Sequence, residues 1–197
     1  SVNFPKEEIV ECEALRFGYL TNLRAKMKSR QSRNNKSIIR VLVLGGFFPS
    51  SMNKMLRLLE GAGPHISDPI SYTLKPHPGL RVNPEDYPSL NLKIVTNSLN
   101  QILDEFDIAY SANATSAAVD VCYAGLPVVV MLDAEELNFC PLRGKSGVRF
   151  VSESKELAEA LQGEHHDLTV DIDHDEFFFL DPELSRWKQL LLGNATS

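Results

Sequence analysis

From residue 38 onward, short unbroken apolar runs alternate with segments of helical spacing. The runs Ile38–Leu44, Ile70–Leu74, Leu92–Val95, Ile108–Tyr110, Pro127–Leu132 and Val148–Val151 predict six strands. Between and after them, Ser51–Glu60, Leu99–Glu105, Thr115–Ala124, Ser154–Leu161 and Pro182–Leu192 predict helices. Strands that are apolar throughout, rather than every second residue, must be buried on both faces. That pattern belongs to a parallel sheet flanked by helices. The expected fold class is α/β, a Rossmann-like parallel sheet with helices on both faces.

Ahead of this core, Ile9, Cys12, Leu15, Tyr19, Leu20 and Leu23 recur at roughly helical spacing, which predicts a helix over residues 6–28. Its basic continuation, residues 26–36, has no apolar period and reads as an exposed linker. The chain therefore divides into an N-terminal helix and linker, 1–36, and a Rossmann-like domain with a C-terminal helix, 37–197. Acidic residues 164–176, with His165, His166 and His174, read as a surface connection. Glu13 and Arg16 read as solvated or paired with each other at helical spacing.

Composition narrows the possibilities. With 197 residues, 43% of them hydrophobic, the chain can bury one sizeable core. The net charge of −6 argues against an extended nucleic-acid-binding face, so any phosphate must be met locally. Cys12, Cys122 and Cys140 are widely spaced and form no CxxC pair, which points to a reducing, cytoplasmic compartment and no structural zinc. No apolar run is long enough to span a bilayer.

Open α/β sheets bind ligands beyond the carboxyl ends of their strands, where strand order reverses. Four segments fall there. Gly45 and Gly46 follow the first strand and suit either close approach of a ligand to the backbone or simply a tight turn; GxGxxG and the Walker Lys-Ser/Thr pair are both missing. In Lys75-Pro-His-Pro78, two prolines restrict the backbone around His77, which can donate a hydrogen bond to a phosphate or sugar oxygen or merely end a strand. Asn113, Thr115 and Ser116 precede a helix, where hydroxyls and free N–H groups attract phosphate or serve as ordinary caps. Asp120, one turn beyond Ser116, can accept from ribose hydroxyls or be an exposed helix charge. Arg143 and Lys145, between glycines, can close on a diphosphate or be scattered surface charge.

Lys75-Pro-His-Pro78, Thr115-Ser-Ala-Ala-Val-Asp120 and Ala124-Gly-Leu-Pro127 together make the chain resemble the C-terminal, donor-binding half of GT-B glycosyltransferases. The likeness is to surface-carbohydrate enzymes related to Kdo, sialyl- and polysialyltransferases and teichoic-acid polymerases. It runs over about residues 38–162, and Glu13–Leu20 also looks like a segment of a bacterial surface-carbohydrate family. The resemblance implies a single half-domain that binds a nucleotide sugar, CMP-linked, with no metal and no other cofactor. His77 would be the catalytic group that steadies the leaving phosphate, Ser116 the hydroxyl of the turn, and Asp120 the acidic residue before Gly-x-Pro, where many relatives carry glutamate. A glycan or lipid-linked acceptor would meet a missing N-terminal domain, either free in the cytoplasm or peripherally at the inner membrane. Two alternatives stay open: a glycerol- or ribitol-phosphate transferase domain, and a non-catalytic α/β binding module.

Overall fold

The computed structural model describes residues 9–31, 38–113, 115–145, 147–163 and 178–193. Six strands, β1 (Ile39–Leu44), β2 (Ile70–Lys75), β3 (Lys93–Ile94), β4 (Ile108–Ser111), β5 (Val128–Met131) and β6 (Val148–Val151), form one sheet in the order β3-β2-β1-β4-β5-β6. Every pair is parallel. The chain reverses direction across the sheet between β3 and β4, so β1 and β4 flank the switch point. Arg40 and Asp107 fasten the entrances of these two strands: the Arg40 backbone N–H donates to Oδ2 at 2.9 Å, and its guanidinium grips both carboxylate oxygens at 3.2 Å.

Among the described residues, α1 (Tyr19–Gln31), α2 (Pro49–Ala62), α3 (Leu99–Ile102), α4 (Ala117–Tyr123) and α5 (Ser154–Gln162) cover the faces, while α6 (Ser185–Leu192) buries no residue of its own and meets the segment before α1. Alternation along each strand sorts the core into two layers. Leu42, Leu44, Ala109, Val128 and Val130 face α1, α3 and α4, while Val41, Val43, Ile108, Tyr110, Val129 and Met131 face α2 and α5.

Before β1 the structure departs from the predicted 6–28 helix. Residues 9–14 are not helical, a 3-10 turn occupies Leu15–Phe17, and α1 then runs on to Gln31 through much of the basic stretch read as linker. Leu20, Leu23 and Met27 explain the extension, since they form a buried stripe that α1 lays against the core. Lys26 adds a 2.5 Å ion pair to Asp104.

Glu13 is not a solvated partner of Arg16. It is only 4% exposed, and its two carboxylate oxygens accept from the backbone N–H groups of Arg186 (2.7 Å) and Trp187 (3.0 Å), the first turn of α6. The Trp187 indole returns a 2.7 Å bond to the Glu13 carbonyl, and Ala14 N–H donates to the Phe179 carbonyl. Burial pushes Glu13 upward, but the amide donors outweigh it and hold the carboxyl below its usual range. The predicted C-terminal helix from residue 182 starts three residues later, after Leu184 takes a left-handed conformation (φ 53°). Residues 32–37 and the acidic connection, 164–176, lie outside the described residues.

Candidate functional site

The carboxyl ends of β1, β2, β4 and β5 carry four loops that touch one another in sequence around a rim. The first loop is held by close packing. Gly45 N–H donates to the Lys75 carbonyl at 3.1 Å, extending the β1–β2 ladder by one bond. A Cβ at Gly45 would overlap the Met52 Cε methyl and stand 3.2 Å from Pro76 Cα, and one at Gly46 would stand 3.2 Å from Ala112 Cβ. These two buried glycines are what lets the β2 and β4 loops close on either side of β1. The chain then turns outward through Phe47 and Phe48, which are 60% and 56% exposed, and Pro49 opens α2.

In the β2 loop, Lys75 is tied back by a 2.7 Å bond from Nζ to the Asn97 carbonyl. His77 is half-buried and doubly held. Its Nδ1 accepts from Gly79 N–H at 3.2 Å, and its ring meets Phe47 at 5.0 Å with the planes 86° apart. A neutral imidazole that accepts at Nδ1 carries its proton at Nε2. His77 therefore presents an Nε2–H donor on this rim.

The β4 loop supplies Asn113, which is 1% exposed. Its Nδ2 donates to the Leu137 carbonyl at 3.4 Å, linking the β4 and β5 loops, while its Oδ1 is buried with no partner among the described residues. An orphaned acceptor at this depth calls for a donor from water or ligand. The helix expected from residue 115 begins at Ala117. Its first turn is capped by Thr115, whose Oγ1 accepts from Ala117 N–H at 3.3 Å; Ser116 is exposed and makes no capping bond.

Asp120 and Ser116 do not share an open face. Asp120 is 6% exposed, and its Oδ2 accepts from the Tyr19 hydroxyl of α1 at 3.1 Å, with Oδ1 left unpaired. Burial raises the Asp120 pKa, and the Tyr19 bond only partly offsets that.

The β5 loop is anchored at both ends. Near its start, Lys54 of α2 donates to Asp133 (2.7 Å) and Glu135 (2.6 Å), and Asp133 also accepts from Glu135 N–H. The Lys54 bond depresses the Asp133 pKa, and the two carboxylates raise that of Lys54. Near its end, Cys140 and Leu142 are buried in the core layer beside α4, fixing the turn that carries exposed Arg143 and half-buried Lys145. Among the described residues, no three His, Cys, Asp or Glu side chains converge as metal ligands, and no helix is long and apolar enough to cross a membrane.

The structure thus brings Gly45, Gly46, Lys75, His77 and Asn113 onto one continuous rim, with Thr115 and Ser116 following on the β4 loop. Asp120 lies beneath α1, and Arg143 with Lys145 sit on a separately anchored turn. Phe47, Tyr19 and the Lys54–Asp133 pair escaped the sequence reading. Phe47 and Phe48 directly after Gly-Gly are a visible signal, whereas Tyr19 looks in sequence like one more apolar position of a helix.

No protein-family model matches the sequence, and no curated protein matches it. Among solved structures, it is similar to the glycosyltransferase SnogD from Streptomyces nogalater, with a TM-score of 0.53 and 16% identity over 80% of this chain and 44% of that one. It is also similar to the wall teichoic acid polymerase TagF, with a TM-score of 0.56 and 13% identity over 93% of this chain and 51% of that one. A single-residue variant of TagF gives 0.55 and 12% over the same shares. The chain spans about half the length of these proteins. Its fold is that of one GT-B half-domain.

Proposed function

We propose that the chain is the donor-binding half of a larger glycosyltransferase that uses a CMP-linked sugar to build bacterial surface polysaccharide. The observation that carries this reading is the strand-end rim at the β1/β4 switch point, where the close-packed glycine turn after β1 is flanked by the His77 Nε2–H on the β2 loop and the orphaned acceptor of Asn113 on the β4 loop. His77 donates to a non-bridging oxygen of the nucleotide phosphate. As the bond between the anomeric carbon and the phosphate oxygen breaks, the electron pair stays with CMP, and the fixed donor stabilises the charge gathering there. Thr115, Ser116 and Lys75 line the same phosphate path, and Arg143 and Lys145 meet the acidic sugar or outer phosphate. Asp120, covered by Tyr19 beneath α1, supports the turn from below and does not meet the ribose. The acceptor and its base belong to the other half of the enzyme, at the cytoplasmic face of the inner membrane.

A second reading rests on the likeness to TagF: transfer of glycerol or ribitol phosphate from a CDP-linked donor, with the pyrophosphate bond broken and CMP again released. Both predict selective cytidine-nucleotide binding. Calorimetric titration with CMP, CDP, UMP and UDP tests them, using wild type, His77→Ala and Ser116→Ala. Loss of a hydrogen bond to a charged phosphate weakens binding about ten- to a hundredfold, and that is the result expected for CMP with His77→Ala. Preference for UDP would keep a transferase but remove the cytidine assignment. A folded domain that binds none of the four would point to a non-catalytic module.

A further inference from the structure

We propose that Phe47 is the positioning residue of His77, holding the imidazole so that Nε2–H stays aimed along the rim; this rests on His77 being the phosphate donor. Phe47 belongs to neither core layer and is 60% exposed, so burial does not account for its place. Among the described residues its ring contacts are His77, at 5.0 Å and 86°, and Phe48, at 5.2 Å and 84°. Both are edge-to-face arrangements that favour one relative orientation.

The backbone on either side of Phe47 is fixed. Gly46 is wedged against Ala112, and Phe48 is held extended (φ −90°, ψ 134°) as the residue before Pro49, which starts a helix anchored by Met52, Met55 and Leu56. The Phe47 ring is thus carried by β1 and α2, while the imidazole is carried by β2. The imidazole has two torsions to control. The 3.2 Å bond from Gly79 N–H to Nδ1 opposes a flip of the ring, and Phe47 blocks the swing of the whole side chain away from the rim. Without Phe47, one bond from a solvent-accessible amide remains, and water competes for it.

The test measures the His77 χ1 rotamer by three-bond couplings in the ligand-free protein, and CMP affinity by calorimetry. The variants are Phe47→Ala, Phe47→Leu and Phe47→Tyr, with Phe47→Ala repeated in a His77→Ala background. The exposed site leaves both core layers intact, and Phe47→Leu keeps apolar bulk without a ring. The expected result is one His77 rotamer in wild type, averaging in Phe47→Ala and Phe47→Leu, and restoration in Phe47→Tyr. CMP affinity should fall about two- to tenfold in Phe47→Ala, the range such a ring pair carries, with no further fall once His77 is gone. A single unaveraged rotamer in Phe47→Ala overturns the proposal. So does an affinity loss that persists in the His77→Ala background, because Phe47 would then touch the nucleotide itself. If wild type binds no nucleotide while the rotamer still depends on Phe47, the positioning role stands and the cytidine assignment falls.

Discussion

Removing one oxygen at Tyr19 tests the electrostatics beneath α1. Asp120 is 6% exposed, its Oδ1 has no partner, and its Oδ2 has the Tyr19 hydroxyl at 3.1 Å. In Tyr19→Phe the ring and its packing remain, but the carboxylate loses that bond. A hydrogen bond to a charged group contributes about 1.5–3 kcal/mol, whereas one to the protonated acid contributes about 0.5–1.5 kcal/mol. Burial raises the Asp120 pKa, so the folded protein holds this proton more tightly than the unfolded chain does. Stability from this group is therefore greatest below the ordinary carboxylate value, declines as pH rises to the raised value, and is level above it. Tyr19→Phe moves the upper limit higher. The variant should lose about 1.5–3 kcal/mol near pH 8, seen as a drop of about 3–12 °C in Tm, and distinctly less near pH 4, about the ordinary carboxylate value. Urea melts of Tyr19→Phe, Asp120→Asn and the double variant at both pH values give the coupling directly. Equal losses at the two pH values, or a coupling within about 0.5 kcal/mol of zero, would refute the reasoning.

Other positions offer sharper or simpler readings. Gly45→Ala forces Met52 aside and presses on the Pro76 backbone, so it should cost about 1–3 kcal/mol in a urea melt; an unchanged midpoint would show that the turn has slack. Glu13→Gln should speed hydrogen exchange at the Arg186 and Trp187 amides while leaving β4 and β5 protected. Because the Glu13 pKa is depressed, its stabilisation is complete above the ordinary carboxylate value and is lost as pH falls through the lowered one. Fluorescence of Trp187, the sole tryptophan, should report that release in wild type and stay flat in the variant. Leu142→Ala empties a fully buried site at the base of the Arg143 turn and should cost about 2–5 kcal/mol, with faster exchange at the Lys145 amide; a loss under about 1 kcal/mol would mean that the loop is not anchored there.

The sheet was legible because its strands announce themselves as continuous apolar runs. Each of the six expected runs contains a strand, and the loops placed at their carboxyl ends are the ones that form the rim. Strand order and the two-layer core then follow from βαβ connections, which leave few topologies open. What could not be read was any feature set by contacts distant in sequence. Glu13 looks like a surface charge until α6 arrives 173 residues later to need a cap. Asp120 looks like an exposed helix carboxylate until Tyr19, 101 residues away, covers it. The basic residues after Lys26 conceal a helix whose buried Met27 joins the core through a contact that charge patterning does not reveal. Gly45 and Gly46 were readable as small residues at a turn, but their neighbours, Met52, Pro76 and Ala112, were not.

Placing β1 at the centre of the sheet has a consequence for how the chain is made. One long edge of β1 must pair with β4, and the clamp between Arg40 and Asp107 joins points 67 residues apart. At a synthesis rate of about 5–20 residues per second, the emerging strand waits about 3–13 s for that partner. Through that interval Val41, Leu42, Val43 and Leu44, all buried in the finished protein, present a greasy strand with unpaired amides on one side. Nascent chains therefore compete between self-association and completion. Slower growth temperature and ample chaperone should raise the recovered yield without altering the melting point of the product.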